Sequence, residues 1–226
     1  MVSTTNTLKL IGDPLALISK KVEIAALYAG VPLTVEEFDP CRASEAVLKD
    51  FLKKSPNGLI PILETPEGCL YEANAILRYI ARYNDNNTLY GSSPFEQALV
   101  DQYLDWSTLT FEPVYAQYIM PYVGYSGYDK KLHDQALKSY RELLTVLEEI
   151  LKKSKYLVGN NITLPDIQIV SLLSFNFQYN FDEKFRKGYP NLTKYYQTVA
   201  SENNFKSLLG RPILCKTPLQ PHTHKK

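Results

Sequence analysis

Between Ser55 and Tyr79 the chain brings together a proline step, a turn and an acidic helix start, residue types that can hold a ligand without covalent chemistry. The run Ser55-Pro56-Asn57-Gly58-Leu59-Ile60-Pro61-Ile62-Leu63 carries a proline inside a β-branched stretch. Pro61 has no N–H to give a sheet, so it belongs at an edge or a special turn. A cis Ile60-Pro61 bond would turn the backbone groups of Ile60 outward, where the main chain of an extended peptide can pair with them. Glu72 follows a Pro66-Glu67-Gly68 turn and a second short strand, at the entrance of a helix whose free N–H groups attract a carboxylate. Together these residues describe a receptor for something peptide-like and anionic. Glu72 also has a purely structural reading, as a first-turn acid that complements the helix dipole.

The elements that position these residues alternate along the first part of the chain. Leu8–Ile11 reads as a strand, Leu17–Ala29 as a helix ended by Gly30, and Leu33–Phe38 as a strand. A helical patch over Ser44–Lys53, strands around Ile60–Leu63 and Cys69–Tyr71, and a helix over Asn74–Tyr83 complete a βαβ then ββα order. That order predicts a thioredoxin-like domain with a mixed sheet over residues 1–83. In the first helix Ile18, Val22, Ala25, Ala26 and Ala29 fall three or four apart and predict one buried stripe.

Asn84 to Thr88 is polar and turn-forming, so 84–92 reads as a linker. Ser93-Pro94-Phe95-Glu96 then opens an all-helical domain over 93–213, and 214–226 reads as a flexible tail. Over Lys131–Lys153 the spacing of Leu132, Ala136, Tyr140, Leu143, Leu147 and Ile150 predicts a buried stripe, with Glu148, Glu149, Lys152 and Lys153 facing water. Thr163-Leu164-Pro165-Asp166 is a second helix cap, and the apolar run behind it predicts the central, buried helix of the domain.

Composition narrows the partners. The 226 residues carry 25 Lys plus Arg against 24 Asp plus Glu, and neither half is a basic nucleic-acid surface. Cys41, Cys69 and Cys215 form no C-x-x-C pair and nothing at the start reads as a secretory leader, which predicts a reducing, cytoplasmic setting. No run of about 18 apolar residues exists, so no membrane span is expected. His133 reads as a solvated helix residue, and His222 with His224 is a poor metal pair, so no metal site is expected. Trp106 reads as core or dimer surface, Lys152–Lys155 as a solvated helix end, and the 17 tyrosines show no regular grouping.

The Ser55–Tyr79 stretch and the Thr163–Asp166 cap resemble the glutathione S-transferase family over roughly residues 7 to 213. The resemblance implies that Ile60 pairs with the cysteinyl backbone of glutathione, that Pro61 shapes that contact, and that Glu72 with the next residue holds the γ-glutamyl end. Here Ala73 stands where a serine is usual and Leu59 where Lys or Gln is common, so two polar contacts are lost. An active transferase also stabilises the glutathione thiolate from a hydroxyl just after the first strand. The serine position falls near Ala16, and the one hydroxyl in Gly12–Lys21 is Ser19, which is either a thiolate partner or a helix-start polar residue.

Further segments, in their order, are similar to the gamma-subunit family of the eukaryotic elongation factor 1 complex. They are Leu63–Gly68, Tyr71–Ile76, Leu89–Ser93, Tyr156–Gly159, Tyr189–Val199 and Asn204–Gly210 with Leu214-Cys215. That resemblance implies a homodimeric scaffold, weakly catalytic or not at all, that binds the complex's nucleotide-exchange subunit. An active transferase conjugating glutathione to electrophiles, and a docking adaptor in an aminoacyl-tRNA synthetase complex, are the alternatives on the same fold. No cofactor is expected beyond glutathione as a ligand or substrate.

Overall fold

The computed structural model describes residues 7–84 and 88–222. Four strands, β1 (Leu8–Gly12), β2 (Leu33–Glu37), β3 (Ile62–Thr65) and β4 (Gly68–Leu70), form one sheet in the order β2-β1-β3-β4. β1 runs parallel to β2 and antiparallel to β3, and β3 pairs antiparallel with β4. Side chains alternate across the sheet with the two-residue strand period. Leu8, Leu10 and Leu63 therefore join the main core, while Ile11 and Ile62 meet Phe51 of α2 (Glu45–Leu52) in a smaller cluster.

Helices α1 (Leu17–Ala29) and α3 (Ala73–Tyr83) pack on each other over the sheet. Gly30 ends α1 in the left-handed conformation at φ 62°, which glycine adopts without a Cβ penalty. The buried stripe of α1 holds Val22, Ala25, Ala26 and Ala29 as read, but Ile18 is exposed. Ser19, Lys21 and Ile24 take its place underneath, because α1 is covered by the helical domain as well as by the sheet.

The second domain comprises α4 (Pro94–Trp106), a π-helical turn over Ser107–Phe111, α5 (Glu112–Ile119), α6 (Lys130–Leu151), α7 (Leu164–Tyr179), α8 (Glu183–Arg186), α9 (Pro190–Ala200) and α10 (Asn203–Leu209). α7 is the central helix and touches α1, α3, α4 and α9. At its head the fully buried Asp166 carboxylate accepts from Thr163 N–H (2.8 Å), Thr163 Oγ1 (2.9 Å), Leu157 N–H (3.0 Å) and Tyr195 Oη (2.8 Å). Ser93 caps α4 by accepting the Glu96 N–H, while Glu96 reaches back one residue further than a capping box requires, to the Ser92 N–H.

Several expectations are corrected by tertiary packing. Glu148 is buried, and Leu132 is exposed although it sits in the predicted stripe. His133 is buried too, with its ring against Tyr118, Tyr122 and Tyr128 and its Nε2 3.1 Å from Tyr122 Oη. Burial holds its pKa below the ordinary histidine range. With Tyr115 and Tyr140 these rings form an aromatic group that no sequence spacing announces. Trp106 is half-buried against Phe111.

The connecting segment and the tail are docked. Leu89 and Tyr90 are buried, the Leu89 carbonyl accepts the Leu164 N–H at 2.9 Å, and residues 85–87 of the predicted linker lie outside the described residues. Residues 214–222 are tied down where a flexible tail was expected. Cys215 N–H donates to the Phe177 carbonyl, Leu219 N–H to that of Tyr179 and His222 N–H to that of Pro121. His224, which the sequence sets beside His222 as a poor metal pair, lies outside the described residues.

Candidate functional site

The loop before β3 is closed on itself by Ser55. Its buried hydroxyl lies 2.8 Å from the Leu59 carbonyl and 2.9 Å from Asn57 Oδ1, and Gly58 takes φ 70° to complete the turn. The loop then passes through a cis Ile60-Pro61 bond into β3, with Ile60 half-buried and Pro61 buried. Asn57 Nδ2 donates to Glu72 Oε1 at 3.2 Å, so the loop and the head of α3 face each other.

Glu72 is the N-cap residue of α3 and the one non-glycine residue with positive φ among the described residues, at φ 68° and ψ 112°. A sparsely populated backbone conformation of this kind costs on the order of 1–3 kcal/mol and persists where surrounding structure imposes it. Its exposed carboxylate does not cap its own helix, so it is available to a ligand cation. Ala73 opens α3 with a methyl group, half-exposed, and offers only its backbone N–H. An α-amino group paired to Glu72 and a carboxylate set at the α3 N-terminus are what this arrangement can hold.

α3 is fixed against the helical domain, which gives the site a rigid wall. Asn74 Nδ2 donates to the Leu104 carbonyl (3.1 Å) and to Thr108 Oγ1 (2.8 Å). Arg78 pairs with Asp101 (2.6 Å) and Asp105 (2.9 Å) on α4. Partial burial works to lower the Arg78 pKa, and the hydrogen-bonded Asp101 and Asp105 carboxylates together outweigh it and hold it above the ordinary arginine value.

The thiol end of the site is poor in donors. Ala16 is the N-cap residue of α1 and carries no side-chain donor. Ser19 is fully buried, and its hydroxyl has no hydrogen-bond partner among the described residues. A Cβ on Gly12 would stand 2.9 Å from Ser19 Oγ and 3.3 Å from Pro61 Cβ, so the hydroxyl is packed under the β1–Pro61 junction. In this conformation Ser19 faces protein and not an open cleft, which favours its reading as a helix-start polar residue.

Sequence reasoning assigned no side-chain role to two neighbours of the site. Asn57 and Ser55 belong to an Asn-Gly turn signal whose side-chain roles need the fold to be seen. Lys21 is buried on α1, and burial lowers its pKa against the opposing charge of Glu112. Beside it Gln168 Nε2 donates to Ser107 Oγ (2.9 Å) and to the Glu112 carboxylate, joining α7 to the π-helical turn. Thr163 and Asp166 act as the read helix cap and take no part in the ligand site. Among the described residues no cluster of three His, Cys, Asp or Glu side chains comes together to hold a metal, and no helix is long and apolar enough to cross a membrane.

Two family models match this chain, the glutathione S-transferase N-terminal domain over residues 7–82 and the C-terminal domain over 111–203. A probable elongation factor 1-gamma 1 of Arabidopsis thaliana is 35% identical over 212 residues, covering 90% of this chain and 51% of that protein. Elongation factor 1-gamma 3 of Oryza sativa subsp. japonica is 34% identical over 190 residues, 84% of this chain and 45% of that protein. The chain thus spans about half the length of the curated relatives it matches. Among solved structures, poplar glutathione transferase F1 superposes with a TM-score of 0.79 at 21% identity, over 90% of this chain and 97% of that one. A theta-class glutathione S-transferase of Xanthomonas axonopodis pv. citri, solved with glutathione bound, gives 0.78 at 25% identity with the same coverage. The sheet order, the docked helical domain and the two family models, which between them take in roughly three quarters of the residues, establish that the chain belongs to the glutathione S-transferase family.

Proposed function

We propose that this domain is a glutathione S-transferase-like scaffold of the translation elongation factor 1 complex and binds that complex's nucleotide-exchange subunit in the cytoplasm. One observation carries the reading: relatives named elongation factor 1-gamma match most of the chain, while the position that would stabilise a thiolate is Ala16 and the nearby hydroxyl of Ser19 is sealed from solvent. A ligand site kept in outline without its donor is what a fold reused for docking would carry.

Self-association fits the same role. A groove of about 560 Å³ runs along the outer face of α3, lined by Leu70, Ala75, Arg78, Tyr79, Arg82 and Tyr83. Arginine and tyrosine are the anchors that interfaces favour, and a stable interface needs about 800 Å² from each partner. Two copies meeting through this face form the proposed homodimer.

Glutathione binding is the second reading, favoured by the Glu72 backbone. The strained φ at a residue whose carboxylate is exposed and, among the described residues, bonded only by Asn57 supports retention of a γ-glutamyl contact. Co-purification with the nucleotide-exchange subunit, together with aryl halide conjugation at buffer background, is the expected outcome of the test. Turnover above background that is abolished by Glu72→Ala, with no capture of the exchange subunit, would reverse the order of the two readings. Capture of aminoacyl-tRNA synthetases in its place would favour the adaptor role.

A further inference from the structure

At the C-terminal end of α6 the surface is hollowed into a pocket of about 430 Å³, lined by Lys152, Lys153 and Lys155 on one side and by Lys194 and Thr198 of α9 on the other. Lys152 is engaged by Glu149, and Lys155 stands with its ammonium 4.9 Å from the centre of the Tyr156 ring. Among the described residues Lys153, Lys155 and Lys194 form no ion pair with a carboxylate. The other acid near the rim, Glu148, is buried and already accepts from Asn191 and Leu192. Four ammonium groups against two carboxylates leave a local excess of positive charge in a chain whose formal net charge is only +1.

Lysines just past a helix end complement its free carbonyls, and that accounts for Lys152 and Lys153. It does not account for Lys194, which projects from the middle of α9, where no helix end calls for a cation. The spacing between the two lysine groups is fixed, because the Glu148 carboxylate locks α6 to the head of α9.

The chemistry of the lining selects the class of partner. Ser154 and Thr198 spend their hydroxyl hydrogens on the Ile150 and Lys194 carbonyls, at 3.2 and 2.7 Å, so a ligand is held here by charge. The rings of Tyr156 and Tyr195 are buried and leave no face on which a nucleobase can stack. We infer that this pocket docks an acidic polypeptide segment of a partner protein, its carboxylates set between the Lys152–Lys155 segment and Lys194.

The test is fluorescence anisotropy of a labelled oligoglutamate peptide titrated with the whole chain, beside a Lys153→Glu, Lys194→Glu variant whose circular dichroism matches the parent. Affinity in the variant is expected to fall about tenfold or more, and affinity in the parent to fall as salt is raised. If the double variant does not fold, Lys194→Gln alone carries the same readout with a smaller loss. Unchanged affinity in a folded variant, or no binding by the parent at low salt, overturns the assignment. Tighter binding of a single-stranded oligoadenylate than of the peptide overturns the choice of partner.

Discussion

Glu148 Oε2 accepts the Leu192 N–H at 2.8 Å, so a carboxylate near the end of α6 caps a helix that begins more than forty residues later. Its other oxygen takes the Asn191 N–H and side-chain amide, which satisfies donors that α9 cannot pair within itself. Glu148→Ala leaves the buried Leu192 N–H and the half-buried Asn191 donors without this partner and is expected to destabilise the fold by about 2–3 kcal/mol. Urea denaturation monitored by circular dichroism checks it, and a loss no larger than that of the exposed Glu149→Ala would count against the capping role.

Glu64 on β3 bonds Lys54 and Lys9, both at 2.6 Å, and these partners hold its carboxyl below the usual glutamate range. A depressed folded pKa means stability that is fully present above the unfolded value and lost as pH falls through the folded one. The same bonds raise Lys54 and Lys9, whose contribution is present below the unfolded lysine pKa and lost at strongly alkaline pH. The site is partly exposed, so the gain is about 1 kcal/mol or less. Stability profiles of the parent and Glu64→Gln should converge as pH drops into the acid range and separate near neutrality.

Glu72→Gly relieves a backbone conformation that glycine adopts freely, against an added entropy cost in the unfolded chain. A net gain on the order of 1 kcal/mol is expected in thermal unfolding, since the relief exceeds that cost. Calorimetric titration with reduced glutathione should show weaker binding in the same variant. A variant both less stable and unaltered in binding would remove the case for a ligand role at Glu72.

Restoring the missing donors separates a dormant site from a rebuilt one. Ala73→Ser adds a hydroxyl at the head of α3 and is expected to tighten glutathione binding about tenfold, the worth of one hydrogen bond to a charged group. Ala16→Ser puts a hydroxyl at the α1 N-cap and should raise aryl halide conjugation above the parent's rate. No change in either assay would mean that more than two donors have been lost.

Ala75 is exposed on the groove along α3, so Ala75→Arg can block that groove without disturbing the core. Sedimentation is expected to move from dimer to monomer at unchanged circular dichroism. A parent that sediments as a monomer at high concentration would refute the proposed interface directly.

Local rules decided much of this molecule before any packing. The bounds of α1, the Gly30 stop, the Thr163–Asp166 cap and the buried α7 all follow from spacing and capping chemistry within a few residues. So does the place of Pro61 at the entry of a strand, because proline has no N–H to give a ladder, whereas the positive φ of Glu72 is imposed by the structure around it. What the chain does with a side chain that two elements share was decided only by the fold. Glu148 and His133 read as solvated because their own helix places them beside polar neighbours, yet α9 and the tyrosines around His133 cover them. Asn57 reached Glu72, and Lys194 came to face Lys153, across stretches of chain whose sequence records no mutual distance. A hydrogen bond needs angstrom-scale approach, and for residues far apart in the chain that approach is set by how helices and sheet pack, not by either residue's neighbours in sequence.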